Sequence, residues 1–195
     1  MRKAEISRKT AETDVKVTLD LDGSGKGSVS TGIGFFDHML QLFLTHSRYD
    51  LVVECAGDTQ VDFHHSVEDV GIALGEAFCR ALGNKAGICR YADVVLPMDE
   101  VLMLCAADIS GRAHLNYDVM TFTDKAGDFD CRLVKEFLLA FVRKAEITLH
   151  FKMFAGEDSH HILEAVFKAL ARTLRKATDT DERLQGRIPS SKGAL

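Results

Sequence analysis

The chain of 195 residues has no long hydrophobic run. Its longest strongly apolar stretch, residues 101–107, is far short of the ~20 apolar residues a helix needs to cross a bilayer. The opening MRKAEISRKT contains no apolar segment of the kind found in a secretory leader, so none is expected. Five cysteines (55, 79, 89, 105 and 131) make an odd number with no CxxC pair. That argues against a disulfide framework and for reduced, mostly buried thiols, which suits the cytoplasm. No block or stripe of basic residues occurs, and the net charge is −5 with a pI of about 5.9. Nucleic acid and membrane surfaces are therefore poor candidates as partners.

Several familiar signatures are also missing. HExxH is absent, and HSVED (65–69) has Asp where an inverzincin has its second His. DLDGSG (20–25) begins like an EF-hand loop, yet its twelfth position is Thr31 instead of a bidentate Glu. GSGKGS (23–28) lacks P-loop spacing, and residues 22–27 read as a hairpin loop between two strands.

What is present is enough apolar residue, 46%, to bury a core, with 27% charged residues for a surface. Val15, Val17, Leu19 and Leu21 alternate with polar residues, the period of a half-buried strand. Helical spacing over 35–43, a strand at 51–55 and a helix at 67–82 closed by Gly83 complete a first half. The second half repeats the order, with strands at 101–107 and 114–119, a helix at 133–142, a strand at 147–151 and a helix at 162–174. The expected organisation is two α/β repeats, 1–92 and 93–180, and a C-terminal tail, 181–195.

The duplication extends to chemistry. DFHHSVED (62–69) and DSHHILEA (158–165) share the pattern D-x-H-H-x-x-E, 96 positions apart. On a helix, residues four apart share a face, so His64 points with Glu68 and His160 with Glu164. His65 and His161 are turned by about 100° from their neighbours, given ~3.6 residues per turn. Adjacent histidines therefore reach two ions more naturally than one. Upstream, FFDHMLQLF and LVKEFLLAF are alike and place Glu136 as the repeat partner of His38. Imidazole and carboxylate without nearby cysteine disfavour a closed structural zinc site and lean towards six-coordinate manganese.

Longer motifs carry a family resemblance. Residues 8–40, DFHHSVEDVGIALGEA (62–77), PMDE…DISGR (97–112), GEDSHHILEAVFKALAR (156–172) and PSSKG (189–193) resemble the imidazoleglycerol-phosphate dehydratases over nearly the whole chain. The implied fold is α/β, an internally duplicated α+β two-layer sandwich of the ribosomal protein S5 domain 2-like kind, with helices on two mixed sheets. The implied reaction is loss of water from D-erythro-imidazoleglycerol phosphate to give imidazole-acetol phosphate, in histidine biosynthesis.

The resemblance also assigns residues. It implies two manganese ions per site, acting as Lewis acid and template, held by His38, His64, His65, Glu68, His160, His161 and Glu164. Glu136 stands where some members have a further histidine ligand. Glu12 matches the family's acid/base residue. Arg90, Arg112, Ser190, Ser191 and Lys192 match phosphate-binding positions, with His46 and Lys168 nearby. Arginine offers a planar fork to phosphate, and a Ser-Ser-Lys tail adds hydroxyl, amide and ammonium donors. The implied assembly is a homo-oligomeric shell of roughly two dozen subunits with sites between chains.

Overall fold

Alternation in the sequence becomes sheet faces in space. The computed structural model describes residues 2–195. The first half runs β1 (Lys3–Lys9), β2 (Thr13–Asp20), β3 (Gly27–Ser30), α1 (Gly34–Ser47), β4 (Asp50–Gly57) and α2 (His64–Leu82). The second runs β5 (Tyr91–Met98), β6 (Val101–Asp108), β7 (His114–Asp118), β8 (Lys125–Ala126), β9 (Phe129–Asp130), α3 (Leu133–Ala145), β10 (Thr148–Ala155) and α4 (Ser159–Thr178). From β2, Val15, Val17 and Leu19 are fully buried, as are Val101, Met103 and Cys105 of β6. Each strand presents this inner face to a helix, α2 on the first sheet and α4 on the second.

Both four-stranded sheets have the same topology, β1-β2-β4-β3 and β5-β6-β10-β7. In each, the first three strands pair antiparallel and the last is added parallel. The helices join the halves crosswise, α1 packing on α4 and α2 on α3. Aromatic rings fill the seam: Phe36 meets Phe137 edge-on at 5.4 Å, Phe137 stacks on Phe167 at 5.4 Å, and Phe78 lies 5.7 Å from Phe141. Among the described residues, no helix is long and apolar enough to cross a membrane.

Two expectations from sequence need correcting. Residues 22–27 do not form a hairpin, because β4 lies between β2 and β3. The loop instead passes over the end of β4, where Asp50 Oδ1 accepts hydrogen bonds from Ser24 N at 2.8 Å and Lys26 N at 2.9 Å. Strands β1 and β5 also join the sheets without having been expected. β1 buries a single apolar side chain, Ile6, and β5 buries Val94 and Leu96 beside a proline, so neither shows strong alternation. β5 straddles the junction expected between residues 92 and 93.

Candidate active site

Each D-x-H-H segment opens a helix, and its aspartate helps to start it. Asp158 caps α4, its Oδ1 accepting from His160 N at 2.8 Å and His161 N at 3.1 Å. Asp62 accepts from His64 N at 2.8 Å in the equivalent turn before α2. The paired rings then diverge: His64 and His65 stand 6.3 Å apart at 88°, His160 and His161 6.2 Å apart at 87°. The two rings of each pair thus face different directions, as the helical turn demands.

The crosswise helix packing decides which residues meet. His38, from α1, approaches the second motif: its Nε2 lies 2.8 Å from Glu164 Oε1, which is also 3.2 Å from His160 Nε2. His38, His160 and Glu164 offer ligand atoms all within 4.8 Å of one another. Burial pushes the Glu164 carboxyl up, but hydrogen bonds from Lys168 and His38 outweigh it and hold it down at about 2. In the first motif His64 Nε2 is 3.6 Å from Glu68 Oε2. Glu136, brought in by α3, lines with His64 a cleft of about 530 Å³ that also takes in Asp62, Asp128 and Arg132. His38 and Glu136 hold equivalent places in the repeat, yet each lies by the other half's motif.

The outward histidines have carboxylate partners of their own. His65 Nδ1 lies 3.0 Å from Asp58 Oδ2, and its Nε2 is 3.8 Å from Glu12 Oε1. His161 Nδ1 lies 3.1 Å from Glu100 Oε2, with Asp99 alongside. Asp58 and then Glu12 and Asp62 raise the pKa of His65, and Glu100 followed by Asp158 and Asp99 raises that of His161. The Glu100 carboxyl is held down at about 2 by its own main-chain N–H and by His161. Glu12 sits in the β1–β2 turn, where its N–H donates to Thr10 Oγ1 at 3.1 Å and its carbonyl accepts from Asp58 N at 3.1 Å. That hairpin is tied to α2 through the buried Asp69, which accepts from Arg8 Nε at 2.8 Å and Thr13 Oγ1 at 2.5 Å. Sequence reasoning gave no role to Asp58, a carboxylate in a turn, or to Glu100, which ends the PMDE motif without being singled out.

The anion-binding candidates fall into two groups within one chain. His46 and Lys168 line a cleft of about 550 Å³ with Arg172 and Lys176. Burial and then the charges of Lys168 and Arg172 depress the His46 pKa. Arg90 lies elsewhere, its guanidinium bonded to Asp108 at 2.8 Å and to the carbonyl of Pro189 at 2.8 Å. Arg112 is exposed and reaches to 3.8 Å from Asp108. Arg90 thus fixes the tail on which Ser190, Ser191 and Lys192 follow, and Lys192 N donates to Ser190 Oγ at 3.2 Å. Arg90 precedes β5, whereas Met98 at the other end of that strand touches Lys168. The cleft follows β5 back to Asp93, whose carbonyl accepts from Lys176 Nζ at 3.4 Å, and Arg90 lies three residues before it, its N–H donating to the Ala177 carbonyl at 2.9 Å.

These features define a duplicated α/β protein whose two helix openings gather imidazole and carboxylate beside a cationic cleft. The sequence profile described as imidazoleglycerol-phosphate dehydratase matches residues 31–174. An imidazoleglycerol-phosphate dehydratase of Methylorubrum extorquens is 55% identical over 195 residues, covering 100% of both chains. One from Caldicellulosiruptor bescii is 53% identical over 194 residues, covering 100% of this chain and 98% of that one. The crystal structure of the Staphylococcus aureus enzyme superposes with a TM-score of 0.84 at 35% identity, over 92% of this chain and 99% of that one. The Pyrococcus furiosus enzyme, solved in complex with (S)-C348, gives 0.83 at 36% identity, over 97% and 100%. The chain belongs to the imidazoleglycerol-phosphate dehydratase family, enzymes of the hydro-lyase type.

Proposed function

We propose that this enzyme removes water from D-erythro-imidazoleglycerol phosphate, giving imidazole-acetol phosphate, as a cytoplasmic step of L-histidine biosynthesis. The observation that carries the reading is one face of α4. His160, Glu164, Lys168 and Arg172 follow at four-residue intervals, so the imidazole–carboxylate cluster runs into the cationic cleft. Four residues of helix rise ~6 Å, the scale of the three-carbon chain that separates ring from phosphate in such a substrate. Lys168 joins the two regions, its Nζ 2.5 Å from Glu164 Oε2.

The donor set fits a metal of manganese type. His38, His160 and Glu164 supply two imidazoles and a carboxylate, and no cysteine belongs to either candidate cluster found among the described residues. His64, Glu68 and Glu136 would hold a second share of ligands, with His65 and His161 supplying their outward nitrogens. Two manganese ions per site would supply Lewis acidity and a template for the substrate ring. Glu12, with 52% of its side chain exposed beside His65, would exchange a proton with the substrate carbon. The cationic cleft and the Arg90–tail group would bind phosphate and so orient the reacting carbons.

We take the complete site to form between copies of this chain, in a homo-oligomeric shell. The test is incubation of the manganese-loaded enzyme with imidazoleglycerol phosphate. A ketone product without inorganic phosphate is expected. Release of phosphate would instead make the protein a phosphatase, and no turnover would leave a metal-binding shell without this activity.

A further inference from the structure

The two hairpin turns of the repeat hold corresponding carboxylates that have taken different positions. Glu12 immediately precedes Thr13, the first residue of β2, and Glu100 immediately precedes Val101, the first residue of β6. Both turns approach the second histidine of the nearby motif. Glu12 lies 3.8 Å from the Nε2 of His65, whereas Glu100 lies 3.1 Å from the Nδ1 of His161. In the first half the Nδ1 side is taken by Asp58, from the loop after β4, at 3.0 Å. The first residue after β10, at the place that Asp58 holds after β4, is Gly156, which has no such group. Each outward histidine thus has one carboxylate on Nδ1, supplied by a different loop in each half.

A carboxylate only accepts, so in the neutral ring the nitrogen facing it carries the proton. The lone pair is then left on Nε2, the nitrogen available to a metal. We propose that Asp58 and Glu100 are positioning residues that fix His65 and His161 in the Nδ1–H tautomer with Nε2 free to coordinate. Because Glu100 does this work in the second half, Glu12 is the one hairpin carboxylate left free for the substrate. The inference rests on the metal-site reading above.

The test uses the full chain and Mn(II) alone, with free aqueous Mn(II) counted by electron paramagnetic resonance near pH 7.5. Asp58→Ala and Glu100→Ala are expected to bind ~10–100-fold more weakly, as loss of such a partner typically does, with unchanged stoichiometry. Asp58→Asn and Glu100→Gln keep a neutral acceptor and are expected in between, which also covers an alanine variant that fails to fold. In 15N-histidine-labelled metal-free protein, solid-state spectra should show a ring moving from the Nδ1–H to the Nε2–H form in each alanine variant. Wild-type affinity in every variant that folds, or an unchanged tautomer pattern, overturns the proposal. So does the loss of a whole ion from the stoichiometry, which would make the carboxylate a ligand. If wild-type protein itself binds no Mn(II), it is the metal-site reading that fails.

Discussion

Replacing Gly75 by alanine should destabilise this enzyme, although the same change in an open helix does the reverse. Gly71 and Gly75 lie one turn apart on the face of α2 that meets α3. A Cβ at Gly75 would come 2.5 Å from the Phe141 carbonyl oxygen and 2.9 Å from Lys144 Cβ; at Gly71 it would come 2.7 Å from the Phe137 carbonyl oxygen. Helix propensity favours alanine over glycine by about 1 kcal/mol. The obstacle is main chain, so relief requires α3 to back away by ~1 Å to reach ordinary contact. Overpacking of this kind costs about 1–3 kcal/mol, and here it also loosens the contact between Phe78 and Phe141. The difference of those terms is a loss of about 0–2 kcal/mol, and a clash with main chain puts Gly75→Ala towards the upper end. Gly34, the first residue of α1, has nothing within 4 Å of its Cβ position, so Gly34→Ala should be neutral or stabilising by up to ~1 kcal/mol. Urea unfolding of the metal-free variants at one protein concentration gives both numbers. The Gly71→Ala/Gly75→Ala pair should lose less than the sum of the singles, since one displacement of α3 relieves both. If Gly75→Ala proves as stable as wild type, the α2–α3 spacing is not set by these glycines.

Glu12→Gln should lower kcat by at least ~100-fold while metal content, measured by elemental analysis, stays unchanged; loss of metal would contradict its assignment as the proton-exchanging group. Glu136→Ala should weaken binding of one ion of the pair in a calorimetric titration and Glu136→His should retain both, whereas an inert alanine variant would return Glu136 to a helix-surface role. Truncation after Gly186 removes Pro189 from Arg90, and should raise KM strongly with folding and metal uptake intact. A normal KM would deny the tail any part in phosphate binding. The metal-free and metal-loaded proteins should respond to pH in opposite senses. The pKa values of His65 and His161 are raised above 6.5 by Asp58 and Glu100, so their ion pairs contribute fully below that value and are lost as pH rises through the raised ones. Manganese instead requires neutral imidazole, so its binding strengthens with rising pH. From pH 6 to 8 the thermal midpoint of the metal-free protein should fall slightly and the increment given by Mn(II) should grow. Acid near pH 5.5 should act like a chelator and give smaller species in light scattering. A shell that stays whole without metal at both pH values would break the link between metal and assembly.

Much of this site can be read from sequence because helices display their periodicity locally. The pattern D-x-H-H-x-x-E declares a turn, a helix start and a shared face within eight residues, and both α2 and α4 begin there. Strand partners are a different matter. The loop before β3 has the glycine-rich look of a hairpin, but the pairing of β3 with β4 spans a whole helix and leaves no local mark. Asp58 and Glu100 stand in turns, where an acidic residue is ordinarily solvated, and only the three-dimensional approach of His65 and His161 distinguishes them. Glu12 could be singled out by resemblance alone. The repeat makes His38 and Glu136 equivalent, and a reader of the sequence would seat each with the motif of its own half. Helix packing seats them the other way, since α1 lies on α4 and α2 on α3. The His38–His160–Glu164 cluster and the cleft shared by His64 and Glu136 each draw side chains from both halves. A half-length chain could therefore rebuild these clusters only by pairing with a second half-chain across the same helix seam.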